Sequence, residues 1–310
     1  MIVTVTMNPA IDKTVEIPAL KPGDLNRISR VEYDAGGKGI NVSKTIAELG
    51  GESIATGFLG GNAGRTIEQV LKEKGISQDF VWVQGETRTN TKVFEKSGAV
   101  TELNEPGPEI SESQVKALLQ KLEGYAGKQT LFVLSGSVPA GVDKGIYGTI
   151  IRLVHQKGAK VLLDADGELF RRALEACPDI IKPNQAELQE YVRVQNASRK
   201  ELCLLALDLK KKGIEQVAVS MGSEGALLFL KEFKAYCPAL SVKAHSTVGA
   251  GDAMAAALAY SFEKGLSLEE TARLSMAVSA GAVTTVGTKP PAKDLVEELK
   301  KQVVMKKTGE

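Results

Sequence analysis

The sequence predicts an α/β protein in which helices cover both faces of a mostly parallel central sheet, giving three layers, with a small β-sheet lid. Three observations predict it. Beyond Pro106-Gly107-Pro108, strand-like and helix-like segments alternate regularly, the rhythm of a parallel sheet built from crossover connections. The runs Leu131-Phe-Val-Leu134 and Val161-Leu-Leu163 carry no polar alternation, as burial on both faces requires. Two short β excursions, at about 13–33 and 86–104, interrupt the pattern and are too short to fold alone. They are expected to form a lid on one domain spanning 1–310.

Taken in order, the β-branched run Ile2–Asn8 predicts a buried strand, which Pro9 ends by withdrawing a ladder donor. Asn8-Pro9-Ala10-Ile11-Asp12 then reads as a turn, and 13–18 with 27–33 as a hairpin-like pair around Lys21-Pro22-Gly23-Asp24. Gly36-Gly37-Lys38-Gly39 opens a helix with Ile40, Val42, Ile46, Ala47 and Leu49 on its apolar positions, stopped at Gly50-Gly51. Strand Ser53–Gly60, helix Ala63–Lys74 and strand Asp79–Val83 follow, then the second exposed pair, Thr87–Glu95 and Ala99–Leu103, turning at Ser97-Gly98.

Helix 111–123 precedes strand Thr130–Leu134, and helix 143–156 precedes strand Lys160–Leu163. Helix 168–176 precedes Asp179–Ile181, and helix 198–212 precedes Gln216–Ser220. A hairpin over Gly225–Ala239 and helices 251–264, 267–285 and 291–304 complete the chain.

Lys and Arg number 39 against 38 Asp and Glu, so no global field favours nucleic acid or an acidic membrane. The three cysteines, Cys177, Cys203 and Cys237, are odd in number and far apart, as expected of reduced cytoplasmic thiols. No apolar run approaches the roughly 18–20 residues of a membrane span, and the first residues lack the pattern of a signal peptide.

Several common chemistries fail on spacing. Neither Gly37-Lys38-Gly39 nor Gly249-Ala250-Gly251 has the third glycine of a dinucleotide fingerprint, and no P-loop is present, which removes a nicotinamide dehydrogenase. His155 and His245 lack partners for a metal site, and no serine lies in a nucleophile elbow. What remains is a series of polar residues at successive strand ends, where ligands sit in open α/β sheets. Individually these have ordinary explanations: Asp252 could cap a helix, Asp12 could belong to a turn, and Asn184 with Glu187 could be a capping box.

Collectively they resemble one family. Thr6-Met-Asn-Pro-Ala-Ile-Asp12, Gly36-Gly-Lys-Gly-Ile-Asn-Val42, Thr87-Arg-Thr-Asn90, Leu134-Ser-Gly-Ser-Val-Pro139, Lys182-Pro-Asn-Gln-Ala-Glu-Leu188 and Ser246-Thr-Val-Gly-Ala-Gly-Asp252 occur in that order over nearly the whole chain. This pattern resembles the ribokinase-like PfkB carbohydrate kinases, and within them the 1-phosphofructokinase and tagatose-6-phosphate kinase branch.

The resemblance implies ATP-dependent phosphorylation of a ketose phosphate, fructose 1-phosphate first, with tagatose 6-phosphate or fructose 6-phosphate as alternatives. It makes Asp252 the general base and gives Gly249, Ala250, Gly251 and Asp252 an anion hole. Asn184 and Glu187 would organise Mg²⁺ largely through water, while Ser220, Gly222, Gly225 and Thr247 would shape the nucleotide side. Asp12, Gly37 and Asn41 would hold the sugar. Lys38, Arg88 and Arg27, with Asn90 and Ser137, would grip its phosphate. A homodimer through the lid is also implied, and the exposed lid edges agree with it. His245-Ser246-Thr247-Val248 lacks the acidic residue associated with a monovalent-cation site in many relatives. A silent sugar-phosphate sensor on the same frame is the alternative of a different class, and the intact Asp252, Asn184 and Glu187 count against it.

Overall fold

A computed structural model describes residues 1–308, so the last two residues of the expected 1–310 domain lie outside the described residues. The chain opens with β1 (Ile2–Thr6), β2 (Ala10–Ile17), β3 (Arg30–Gly36), α1 (Lys38–Glu48), β4 (Ile54–Gly60) and α2 (Gly61–Glu73). Four short strands follow, β5 (Ser77–Gln78), β6 (Val81–Val83), β7 (Arg88–Glu95) and β8 (Val100–Asn104). The alternating region is α3 (Glu112–Tyr125), β9 (Leu131–Ser135), α4 (Ile146–His155), β10 (Lys160–Asp164), α5 (Gly167–Leu174), β11 (Ile180–Ile181), α6 (Gln185–Val192), α7 (Arg199–Lys211) and β12 (Gln216–Ser220). Strands β13 (Ala226–Leu230) and β14 (Phe233–Cys237) lead to α8 (Ala250–Lys264), α9 (Leu268–Ala282) and α10 (Lys293–Gln302).

The large sheet runs β14-β13-β12-β11-β10-β9-β1-β4-β5, with β6 also on β4. It is parallel from β12 through β4 and antiparallel in the β12-β13-β14 edge. Alternate residues of one strand feed opposite cores, which is why the apolar runs lack alternation. Phe132 and Leu134 of β9 pack with Ile150, Ile151 and Phe170 on one face. Leu131 and Val133 pack with Val42, Ile46 and the alanine-rich α8 on the other. Each such fully buried side chain contributes about 1.5–3 kcal/mol. Both faces are covered, giving the three layers expected.

Parallel register also aligns strand ends. Thr6 on β1, Ser135 on β9 and Asp164 on β10 stand side by side at the carboxyl edge. Backbone packing there is tight. A Cβ on Gly57 would lie 1.8 Å from the Thr6 carbonyl oxygen, and one on Gly39 2.5 Å from Thr6 Oγ1.

The second sheet, β3-β2-β7-β8, is the lid, with two corrections to its expected form. Its first strand begins at Ala10 and its second ends at Gly36, so Asp12 lies inside a strand and not in a turn. The two hairpins are also joined into one sheet by parallel pairing of β2 with β7, in which Asp12 faces Asn90. Elsewhere the expected strand 79–83 is shortened to β6, and β5 forms just before it. Helix α6, not expected as an element, forms behind the Asn184–Glu187 capping box. No helix among the described residues is long and apolar enough to cross a membrane.

Candidate active site

Helix α8 begins at the carboxyl edge of the large sheet. Gly249, its N-cap, takes φ 86°, the left-handed conformation glycine tolerates, and turns the chain into the helix. Asp252 follows within the first turn and is buried. The Ala250 N–H reaches the Thr247 carbonyl at 3.4 Å. The N–H groups of Gly249, Gly251 and Asp252 have no hydrogen-bond partner among the described residues. Free donors on a positive helix end favour an anion.

Asp252 is not acting as a side-chain cap. Its Oδ2 accepts a hydrogen bond from Asn41 Nδ2 at 2.8 Å, across a sequence separation of 211. Burial, with help from the Asp164 charge, pushes its carboxyl up to about 6, against the opposing pull of Lys38, Asn41 and Lys182. A carboxylate so tuned accepts a proton at neutral pH more readily than an ordinary aspartate.

Asp164 and Lys182 were missed as candidates. Asp164 is buried, with Lys182 Nζ 3.2 Å and Lys38 Nζ 3.6 Å from its Oδ1. Burial alone would raise its carboxyl, but the two ammonium groups outweigh that and hold it below the ordinary range. It remains an anion. The available signal was its position directly after an apolar strand, the rule that identified the other candidates, and Lys182 lay unassigned within Lys182-Pro-Asn.

A cavity of about 710 Å³ brings these groups together. Lys38, Asp164, Lys182, Asn184 and Glu187 line it together with Gly249, Ala250, Gly251 and Asp252. Ser220, Gly222, Gly225 and Thr247 are on its walls, as are the apolar Leu240, Val242, Met276 and Val283. Asn184 and Glu187 form a capping box: each side chain accepts the other's backbone N–H at 2.8 Å. That leaves Glu187 Oε1 without a hydrogen bond from any described residue. Burial, reinforced by Asp164, raises the Glu187 carboxyl.

A second group gathers beneath the lid. Asp12 is buried and pairs with Lys92 Nζ at 3.2 Å, with Asn90 Nδ2 at 3.5 Å. Arg88 donates to the carbonyls of Asn8 and Glu105, both at 3.1 Å. Gly37 caps α1 at φ 110°. The buried Asn8 Oδ1, Asn41 Oδ1, Arg88 Nε, Asn90 Oδ1 and Ser135 Oγ have no hydrogen-bond partner among the described residues, so this region carries unspent polar capacity. Three expected members stand apart, the first being Lys38, which faces the large cavity beside Asp164. Arg27 is in the exposed connection between β2 and β3 and makes no hydrogen bond or ion pair with the described residues. Ser137 is exposed and likewise unbonded.

Among the described residues no three His, Cys, Asp or Glu side chains converge to hold a metal unaided. Unpartnered N–H groups at a helix start beside a buried carboxylate are the parts that phosphoryl transfer to an alcohol calls for, and the fold and site fit a small-molecule kinase. Its relatives narrow the class. The model of the pfkB family carbohydrate kinases matches residues 1–295, and the chain belongs to that family, whose phosphoryl donor is ATP. A 1-phosphofructokinase from Borreliella burgdorferi is 36% identical over 289 residues, 92% of each chain. Phosphofructokinase-2 from Escherichia coli, solved in complex with potassium, superposes with TM-score 0.92 at 29% identity over 97% of this chain and 98% of that one. A ribokinase from Thermotoga maritima, 22% identical and covering 97% of this chain and 99% of that one, shares the fold with TM-score 0.78.

Proposed function

We propose that the protein transfers the γ-phosphoryl group of ATP to fructose 1-phosphate, giving fructose 1,6-bisphosphate and ADP. The observation that carries this reading is the Asn41–Asp252 hydrogen bond, which ties the base to the sugar-side residues at the edge of the large cavity. The resemblance to a protein named 1-phosphofructokinase supports the choice of acceptor.

In this reading Asp252 removes the proton of the acceptor hydroxyl, and that oxygen attacks the γ-phosphorus. The bond to the bridging oxygen breaks, and its electron pair leaves on ADP. Unpartnered N–H groups at Gly249, Gly251 and Asp252 receive the charge on the transferred oxygens. The apolar wall with Leu240, Val242 and Met276 suits an adenine ring, while Ser220, Gly222 and Gly225 flank it. Asp12, Asn41 and Asn90 hold sugar hydroxyls, and Arg88 turns its guanidinium to the sugar's phosphate.

The residues also fit Mg²⁺. Asp164 and Glu187 face one cavity, Glu187 Oε1 is free, and Asn184 spends its carbonyl oxygen on the helix cap, so it would act through water. Magnesium bound there supplies positive charge to the nucleotide phosphates.

The chain is read as one domain with the lid as an insertion. Ile11 and Ala35 of the lid strands join the buried cluster of α1, β4 and α2. We further infer a homodimer through the lid and a cytoplasmic setting. Cross-strand register puts Val31, Tyr33 and Leu103 on the lid face opposite Asp12, and they are 41%, 66% and 59% exposed. An apolar patch of that kind marks a contact surface.

A coupled ADP-release assay over fructose 1-phosphate, tagatose 6-phosphate and fructose 6-phosphate tests the acceptor. The expected result is the highest kcat/KM for fructose 1-phosphate. A preference of roughly tenfold or more for either alternative, about 1.4 kcal/mol in transition-state binding, overturns the assignment.

A further inference from the structure

Lys92 lies two residues past Thr87-Arg-Thr-Asn90, and sequence reasoning gave it no role. Parallel pairing sets Asp12 beside Asn90 and Thr14 beside Lys92, so all four side chains share one lid face. The opposite face carries the small apolar cluster of Val15, Ile17 and Val93. Lys92 is buried, and its Nζ reaches Asp12 Oδ2 at 3.2 Å, its one hydrogen-bond partner among the described residues.

The surroundings decide what this ammonium can reach. It lines a cavity of about 20 Å³ with Asp12, Thr14, Glu32, Asp34 and the loop Val286 to Lys289 that joins α9 to α10. That space suits about one water and is too small for a sugar or its phosphate. Lys92 is not among the residues that line the large cavity. The neighbouring carboxylates are engaged elsewhere, Asp34 by Lys44 at 2.9 Å and Thr288 at 3.3 Å, and Glu32 by Arg30 and Lys289. The charge of Lys92 therefore goes to Asp12.

Asp12 is held from behind as well. A Cβ on Gly36 would lie 2.5 Å from Asp12 Oδ2 and 2.6 Å from its Cγ, so the carboxylate fills the space that a side chain there would take. Oδ2 is engaged by Lys92. Oδ1 has one long contact, Asn90 Nδ2 at 3.5 Å, and keeps lone pairs for a ligand hydroxyl.

We propose that Lys92 is a positioning residue of the acceptor site, which locks the Asp12 carboxylate in one rotation with Oδ1 toward the sugar and does not itself bind the acceptor's phosphate. This rests on the reading of Asp12 as a holder of sugar hydroxyls. A hydrogen-bond acceptor fixed before the ligand arrives spares the cost of ordering it on binding, so Lys92 sets how tightly the sugar, and not the nucleotide, is held.

Lys92→Met, Asp12→Asn and the double variant test it, by calorimetry with fructose 1-phosphate and, separately, a non-hydrolysable ATP analogue. Each single variant is expected to weaken fructose 1-phosphate about tenfold or more and to leave the analogue within about threefold of wild type. KM for the sugar phosphate should rise more than kcat falls. The two effects should not multiply: in Asp12→Asn, adding Lys92→Met costs less than about threefold more, because the group it acts through is already altered. Lys92→Met leaves a buried carboxylate without its cation, and if thermal unfolding shows it misfolded, the double variant, with neither charge, is compared with Asp12→Asn in its place. A further loss of roughly tenfold in the double variant overturns the proposal, since Lys92 would then touch the ligand itself. So does a Lys92→Met that weakens sugar phosphate and analogue alike, as a merely structural role would. Lys92→Met with wild-type affinity beside a weakened Asp12→Asn sinks only this assignment. Asp12→Asn with wild-type affinity removes the hydroxyl reading of Asp12 and this proposal with it, and wild type that binds no fructose 1-phosphate removes the acceptor reading as a whole.

Discussion

Replacing Asp252 by Asn is expected to lower kcat by about 10³-fold while leaving the binding of the sugar phosphate within about threefold of wild type. The substitution keeps size and shape. Its amide oxygen can still accept from Asn41 Nδ2, the contact made at 2.8 Å, so the fold and the acceptor side are preserved. What is lost is a group able to accept the hydroxyl proton. The same assignment predicts the pH profile. Burial pushes the Asp252 carboxyl up to about 6, and the base works only when unprotonated. The kcat/KM for the sugar phosphate should therefore be flat above neutrality and fall about tenfold per unit as pH drops below that value, a limb missing from the residual rate of the Asn variant. An Asn variant with wild-type kcat contradicts the assignment of Asp252 as the base.

The second large effect concerns the scaffold beneath the site. Gly57 on β4 pairs with Thr6 on β1 at φ 138°, and a Cβ there would be 1.8 Å from the Thr6 carbonyl oxygen and 2.6 Å from its carbon. Neither atom is the end of a flexible side chain. Relief requires moving the last residue of a central strand, which is also crowded by Gly37 and Gly39 at the start of α1. Gly57→Ala is expected to cost about 4 kcal/mol or more, a fall of about 6 °C or more in Tm. Gly75 is the control: at φ 67°, an added Cβ meets no heavy atom of the described residues within 4 Å beyond its chain neighbours, so its Ala variant meets only the left-handed penalty of about 1 kcal/mol. Equal Tm for the two variants would show that β1 and β4 are not packed as described.

The order of strands and helices was legible because two-sided burial removes polar alternation from β9 and β10, a local property of sequence. The lid was only half legible. Its hairpins can be located, but the parallel pairing of β2 with β7 joins segments far apart in the chain, and the strand that carries Asp12 starts nearer Pro9 than the sequence predicts. Asp252 and its glycines could be identified from spacing and resemblance, whereas its bond to Asn41 is a tertiary fact with no local trace. Asp164 escaped notice because a lone aspartate between a strand and a helix looks like a cap, the place that Asp166 takes in this chain. Lys38 was identified as functional but assigned to the acceptor, since nothing local says which side of α1 its stem will follow. Arg27 had the right charge and an exposed loop position that brings it to none of the other groups.

In the proposed reaction the ketose hydroxyl gives its proton to Asp252 and takes the γ-phosphoryl group of ATP, leaving ADP. Phosphorus NMR of wild-type protein incubated with ATP, Mg²⁺ and fructose 1-phosphate follows both partners at once. The account predicts a second sugar phosphoester resonance, that of fructose 1,6-bisphosphate, growing in equal amount with ADP. ADP appearing with inorganic phosphate and no new sugar ester, or an unchanged spectrum, would contradict it.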